Sequence, residues 1–135
     1  MAKRLYKSHC IFPTPDIKGT CKFYEKIMGF TSVKYLNAHE PHICLYRDET
    51  EIILTESKKQ KVIPNRDLYG YGYDAYFITD NQELLEKGFK NAGANIIRHL
   101  GMRDYHNFEF VVEDIDRRLD LELKKSSLFL IVSHG

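Results

Sequence analysis

Histidines and cysteines are the residues here best suited to metal or nucleophilic chemistry, and their spacing argues against most of it. His39, His42, His99, His106 and His134 share no ligand spacing of the H-x-x-x-H kind. Cys10, Cys21 and Cys44 form no C-x-x-C pair and stand beside no activating base. None is expected to be a catalytic nucleophile, and a reduced, cytoplasmic protein is the natural expectation. No residue is assigned a catalytic role. Glu109 alternates with Phe108 and Phe110, so it is expected to face a cavity or solvent, contacting a ligand or bridging to an arginine. Tyr69, Tyr71, Tyr73 and Tyr76 are interleaved with Gly70 and Gly72, which let the backbone bend. Aromatic rings stack on planar ligands and their hydroxyls orient them, so Tyr73 and Tyr76 are candidate ligand contacts. Linker cover or a dimer interface is the other use such tyrosines have. Tyr76 lies two residues after Asp74 on an expected strand and should share its face.

The elements that position these residues occur twice. Asp16 to Gly29 is echoed by Asp80 to Gly93 at the same spacing. Each copy reads as a strand, an Asp that caps a helix, about three helical turns, a Gly that stops it, and further strands. In the first copy a strand is expected over 8–13, with Cys10 and Phe12 on one face and His9 and Ile11 on the other. The helix presents Ile17, Cys21, Tyr24 and Ile27/Met28 as its apolar stripe. Strands follow at 30–36, 42–47 and 51–56, the last two joined by a tight Asp48-Glu49-Thr50 turn. In the second copy a strand over 73–79 leads to a helix with Leu84, Leu85, Gly88, Phe89 and Ala92 buried. Strands are expected at 95–99, 107–113 and 118–123. The last sets Leu119, Leu121 and Leu123 against Asp120 and Glu122. One module therefore covers about 8–57, a polar linker about 58–72, and a second module about 73–125. Residues 126–133 fit neither module and suit an edge strand or a partner contact.

Composition narrows the partners. The formal net charge is +1 with no long basic block, which argues against nucleic acid. The apolar tail is too short to span a bilayer, and the basic start lacks the apolar stretch of a signal peptide.

The β-α-β-β-β order, given twice, resembles the vicinal oxygen chelate superfamily, also called the glyoxalase/bleomycin-resistance/dioxygenase superfamily. The resemblance runs from about His9 to Lys124. It is carried by PTPDIKGTCKFYEKIMGF, similar to that family's strand–Asp–helix–FY…GF signature, and by YHNFEFVVEDID, similar to its (R/F)EF…DPDG segment. It implies an α+β fold of two βαβββ modules whose curved mixed sheets surround a cavity, with helices outside and a homodimer common.

The family's metal-binding positions, carried over, fall on His9, on Ile53 in place of a carboxylate, on Asp74 in place of a histidine, and on Asp120 in place of a glutamate. The last match requires deleting one residue, the turn glycine, after Asp116. Two readings follow. In the first, the chain is a metal-independent, bleomycin-resistance-like binding or sequestering protein with no cofactor, its small-molecule cavity lined by Ile53, Tyr73, Tyr76 and Glu109. In the second, His9, Asp74 and Asp120 hold a divalent ion such as Mg, Mn, Fe or Zn in a lyase or dioxygenase that chelates vicinal substrate oxygens. Whether the chain is an enzyme is left open between them.

Overall fold

A computed structural model of the chain describes residues 4–102 and 108–124. The first module runs β1 (Cys10–Thr14), α1 (Ile17–Lys26), β2 (Thr31–Tyr35), β3 (His42–Arg47) and β4 (Thr50–Glu56). The Asp16 carboxylate accepts the Gly19 N–H at 3.0 Å, which fixes the start of α1. Gly29, at φ +74°, reverses the chain after it. A side chain there would also meet the Arg47 guanidinium, 3.0 Å from where a Cβ would sit. The strands form a sheet in the order β1-β4-β3-β2, with β1 parallel to β4 and the other pairs antiparallel. One face carries Phe12, Ile43, Leu45, Ile52 and Leu54, all buried beneath α1.

The second module repeats the plan with β5 (Ala75–Thr79), α3 (Gln82–Asn91), β6 (Asn95–Met102), β7 (Phe108–Glu113) and β8 (Leu119–Lys124), in the sheet order β5-β8-β7-β6. Its helix starts one residue later than expected. The cap is Asn81, whose side chain accepts the Leu84 N–H at 3.4 Å, and not Asp80. Leu84 consequently turns outward, and Gln82 joins Phe89 inside. The linker, expected to be irregular, contains a further short helix, α2 (Asn65–Tyr69), stopped by Gly70 in the left-handed region. The tail at 126–133 and the histidines His106 and His134 lie outside the described residues. Among the described residues, no helix is long and apolar enough to cross a membrane.

The two sheets stay open and separate, and their helix-bearing faces share one core. Phe12, Tyr24, Met28 and Phe30 pack in the same cluster as Ala75, Phe89, Phe110 and Val112. The Phe30 and Phe77 rings meet across the modules at 6.3 Å. A polar pin runs through this core. The fully buried Tyr24 hydroxyl lies 2.7 Å from Asp114 Oδ2 and 2.7 Å from Asp120 Oδ2. A hydroxyl has one proton to give, so the second carboxyl must bring its own. Burial first, and then the Asp114 charge, hold Asp120 well above the usual carboxyl range. Asp120 is therefore the protonated partner, donating to the Tyr24 oxygen. Tyr24 in turn donates to Asp114, which Arg118 neutralises at 3.1 Å.

The β7–β8 turn completes the join. Arg118 also reaches the Pro13 carbonyl and lies over the Phe12 ring at 4.5 Å. Asp116 Oδ2 accepts from the hydroxyls of Thr14, at 2.8 Å, and Thr20, at 3.1 Å. Sequence segments far apart in the chain are thus fastened by charge-assisted hydrogen bonds, roughly twice as strong as neutral ones.

Two predictions follow from the pin. Tyr24→Phe should lower the unfolding free energy in urea by about 1–3 kcal/mol, because it leaves the buried Asp120 carboxyl without its partner and takes one donor from Asp114, which keeps Arg118. The raised Asp120 carboxyl is held protonated in the folded chain at pH values where the unfolded chain has released it. Its contribution is thus most favourable below the unfolded carboxyl range and declines as pH rises through the folded value. Asp120→Asn, which keeps a similar shape with no charge to form, should therefore gain stability relative to the parent as pH rises above the unfolded carboxyl range. Parallel pH dependences in urea titrations would contradict the assignment.

Candidate functional site

Strand alternation leaves each sheet a second face with no helix on it. On the first sheet this face holds His9, Ile11, Glu51 and Ile53, together with Cys44 and Tyr46 from β3. His9 Nδ1 lies 3.0 Å from Glu51 Oε1 across the parallel β1–β4 pair. Facing a carboxylate oxygen, Nδ1 is the ring nitrogen that donates. The Glu51 carboxylate also takes the Tyr46 hydroxyl, pushing that phenol up to about 12. Burial raises the Cys44 thiol, which keeps it from acting as a thiolate. Ile11, 63% exposed, stands with exposed Val33 and Tyr35 on the same face.

The second sheet's helix-free face brings together three of the four expected ligand contacts. Tyr73 and Tyr76 meet edge to face with ring centroids 5.9 Å apart. Arg98 Nη1 donates to the Tyr73 hydroxyl at 2.8 Å and to Glu109 Oε1 at 3.2 Å. Glu109 is fully buried, while Tyr76 is 57% exposed. Burial, then the neighbouring Tyr73 and Glu109, raise the Tyr76 phenol and keep it neutral. Val111, Leu119 and Leu121 pack beneath, with Tyr73 against them. A fixed cation, a neutral hydroxyl and an exposed ring thus share one surface. Ile53 belongs to the other sheet. Arg98 escaped sequence reasoning because β6 carries register shifts on both sides of it, so simple alternation from Asn95 misassigns its face.

The metal set read from the sequence is not brought together. Both Asp74 oxygens are committed to backbone: Oδ1 accepts the Asn65 N–H at 3.2 Å and Oδ2 the Leu119 N–H at 3.0 Å. Asp120 pairs with Ala75 and shares its face with Phe110 and Val112, pointing into the core toward Tyr24. The deletion that carried it to the metal position does not occur. Arg117, at φ +68°, takes the left-handed place of the expected turn glycine, so Leu119 and Leu121 face the helix-free side. His9 instead finds Glu51, two residues before Ile53 on the same face. Among the described residues, no group of three or more His, Cys, Asp or Glu is arranged to hold a metal ion. The described residues of one chain do not fit a chelated divalent ion.

The fold itself is well represented among solved structures. Similar chains include UcmS2 (TM-score 0.70, 15% identity, 90% of this chain and 98% of that one). A member of the glyoxalase/bleomycin resistance protein/dioxygenase superfamily from Sphaerobacter thermophilus DSM 20745 has TM-score 0.70 and 14% identity over 90% of this chain and 98% of its own. A glyoxalase-related enzyme from Clostridium phytofermentans has TM-score 0.69 and 16% identity over 90% and 96%. No protein-family model matches the sequence, and no curated protein does either. The chain has the vicinal oxygen chelate fold; at these identities the likeness speaks to fold alone.

The commitments of Asp74 make a measurable distinction. Asp74→Ala should lower the unfolding free energy by about 1–3 kcal/mol through two orphaned backbone N–H groups. His9→Ala, at a half-exposed site, should change it by well under ~1 kcal/mol. Equal and small effects of the two would show that Asp74 is not a structural clamp.

Proposed function

We propose that the protein binds, and so sequesters, a planar small molecule without chelating it through a metal ion. The observation that carries this reading is the preformed Tyr73–Arg98–Glu109 bridge beside the exposed Tyr76 ring. Buried Glu109 holds the guanidinium in place before any ligand arrives, so little ordering is needed on binding. A ring stacking on Tyr76 would set an acceptor oxygen against Arg98, which suits an aromatic carboxylate or a polyphenol.

The same geometry supports a homodimer. Within one chain the modules meet through their helix-bearing faces, and each helix-free face keeps exposed apolar residues: Ile11, Val33 and Tyr35 on one, Tyr76 and Ile78 on the other. A second copy setting its first sheet over this chain's second sheet would cover both faces. It would also bring Ile53 of one chain toward Tyr76 of the other, closing a cavity around the ligand.

One observation favours the metal-dependent lyase or dioxygenase reading: the His9–Glu51 pair, two metal-compatible donors 3.0 Å apart on an accessible face. Two donors alone hold an ion weakly, and Asp74 is already spent.

Calorimetric titration with planar aromatic carboxylates should give saturable binding without added metal. Tyr76→Ala should weaken it about tenfold, the loss of roughly 1.4 kcal/mol of ring contact. Stoichiometric metal in protein purified without chelator, lost in His9→Ala, would overturn the proposal in favour of the metal-dependent reading.

A further inference from the structure

A cleft whose lining shares none of Tyr73, Tyr76, Arg98 and Glu109 opens where the end of α1 and the β3–β4 turn approach β5 and α3. Its volume is about 690 Å³. Met28, Phe30, Phe77, Leu85 and Phe89 give it apolar walls, and the exposed carboxylates of Asp48, Glu49 and Asp80 stand at its mouth. The one cation lining it among the described residues, Arg47, is already engaged: Nη1 donates to the Met28 carbonyl at 2.6 Å and the guanidinium lies 5.5 Å from the Phe89 ring centre.

Glu122 forms part of the lining. It is 1% exposed, and neither carboxyl oxygen has a hydrogen-bond partner among the described residues. Beside it, Gln82 Nε2 donates to the Glu122 carbonyl at 2.9 Å and to the Phe108 carbonyl at 2.7 Å, while Gln82 Oε1 also has no donor among the described residues. Unsatisfied buried acceptors are uncommon because each costs about 1–3 kcal/mol. Here the two of Glu122 stand at an apolar cleft wide enough for a small organic molecule.

We propose that this cleft is a second binding site, taking an amine carried on an apolar or aromatic body. The body lies among the phenylalanines, and the nitrogen pairs with Glu122. Burial raises the Glu122 carboxyl well above the usual range. An entering neutral amine takes the carboxyl proton and leaves an ammonium–carboxylate pair; a cation entering from solution displaces that proton to water. Either way the orphaned oxygens gain N–H donors. The acidic mouth favours approach of positive charge.

The probe is 2-phenylethylamine, with 2-phenylethanol as its uncharged counterpart, titrated by protein-observed NMR at neutral pH. The amine should saturate with a dissociation constant on the order of 1 mM, the range for so small a ligand. The alcohol should bind at least tenfold more weakly. Glu122→Gln, close in shape but uncharged, should weaken the amine about tenfold and leave the alcohol unchanged. Leu84→Trp, at a position 66% exposed on the rim, fills the mouth without disturbing the core and should abolish binding. Tyr76→Ala, on the opposite face of the sheet, should leave the amine affinity intact. Failure of the amine to saturate the parent protein would overturn the proposal. So would equal amine affinity in Glu122→Gln, or undiminished binding in Leu84→Trp. Loss of amine binding in Tyr76→Ala would move the event to the other face and overturn it equally. None of these outcomes bears on whether planar carboxylates bind at Tyr76.

Discussion

A single phenolic proton organises this molecule. Tyr24 reaches from the first module's helix into the second module's sheet and finds two carboxyls, with only one proton of its own to share. The buried arrangement holds because Asp120 keeps its proton and Arg118 answers the charge on Asp114. Truncating any member to an apolar side chain leaves a polar group in a medium that penalises it, so the network favours one docking of the modules over others. The Asp116 contacts to Thr14 and Thr20 extend the same fastening to the start of α1.

That docking decides which surfaces remain for function. The helix-bearing faces are consumed in joining the modules, apart from the cleft where α1 and α3 leave room. The helix-free faces keep their polar and aromatic residues, and the two sheets specialise differently. The first has the His9–Glu51 pair and a rim of apolar side chains. The second has a guanidinium pinned between a tyrosine and a buried glutamate. Asp74, where a metal ligand would be useful, instead ties the linker at Asn65 to the start of β8. A carboxylate accepting two backbone N–H groups is a structural clamp, and that use competes with ion binding.

Much of the architecture was legible because local signals repeat. Asp16 before a helix, Gly29 and Gly93 after one, and the alternation of Leu119, Leu121 and Asp120 are all short-range chemistry, and the structure follows them. Alternation, however, says which residues share a face and is silent on which face meets the helices. Asp120 was expected on the cavity side for that reason, and tertiary packing put it inside. The deletion that supported the expectation rested on the missing turn glycine, whose left-handed place Arg117 takes in spite of its side chain. Glu51 escaped notice because the parallel register of β1 against β4 is set over long range, and a shift of two residues preserves the face. Asn81 outcompeted Asp80 as the cap, since either residue type accepts an N–H at that spacing. The Glu122 cleft was invisible for a related reason: its walls come from both modules.

On the proposed reading, a small molecule is recognised by the pinned arginine and its tyrosines, with no ion between. Backbone-amide NMR of the protein kept in chelator, titrated with a planar aromatic carboxylate, tests it most directly. Saturating shifts should gather at 73–76, 98 and 109 and be indifferent to added divalent cations. Shifts that appear only when such cations are supplied, and that centre on His9 and Glu51, would contradict it.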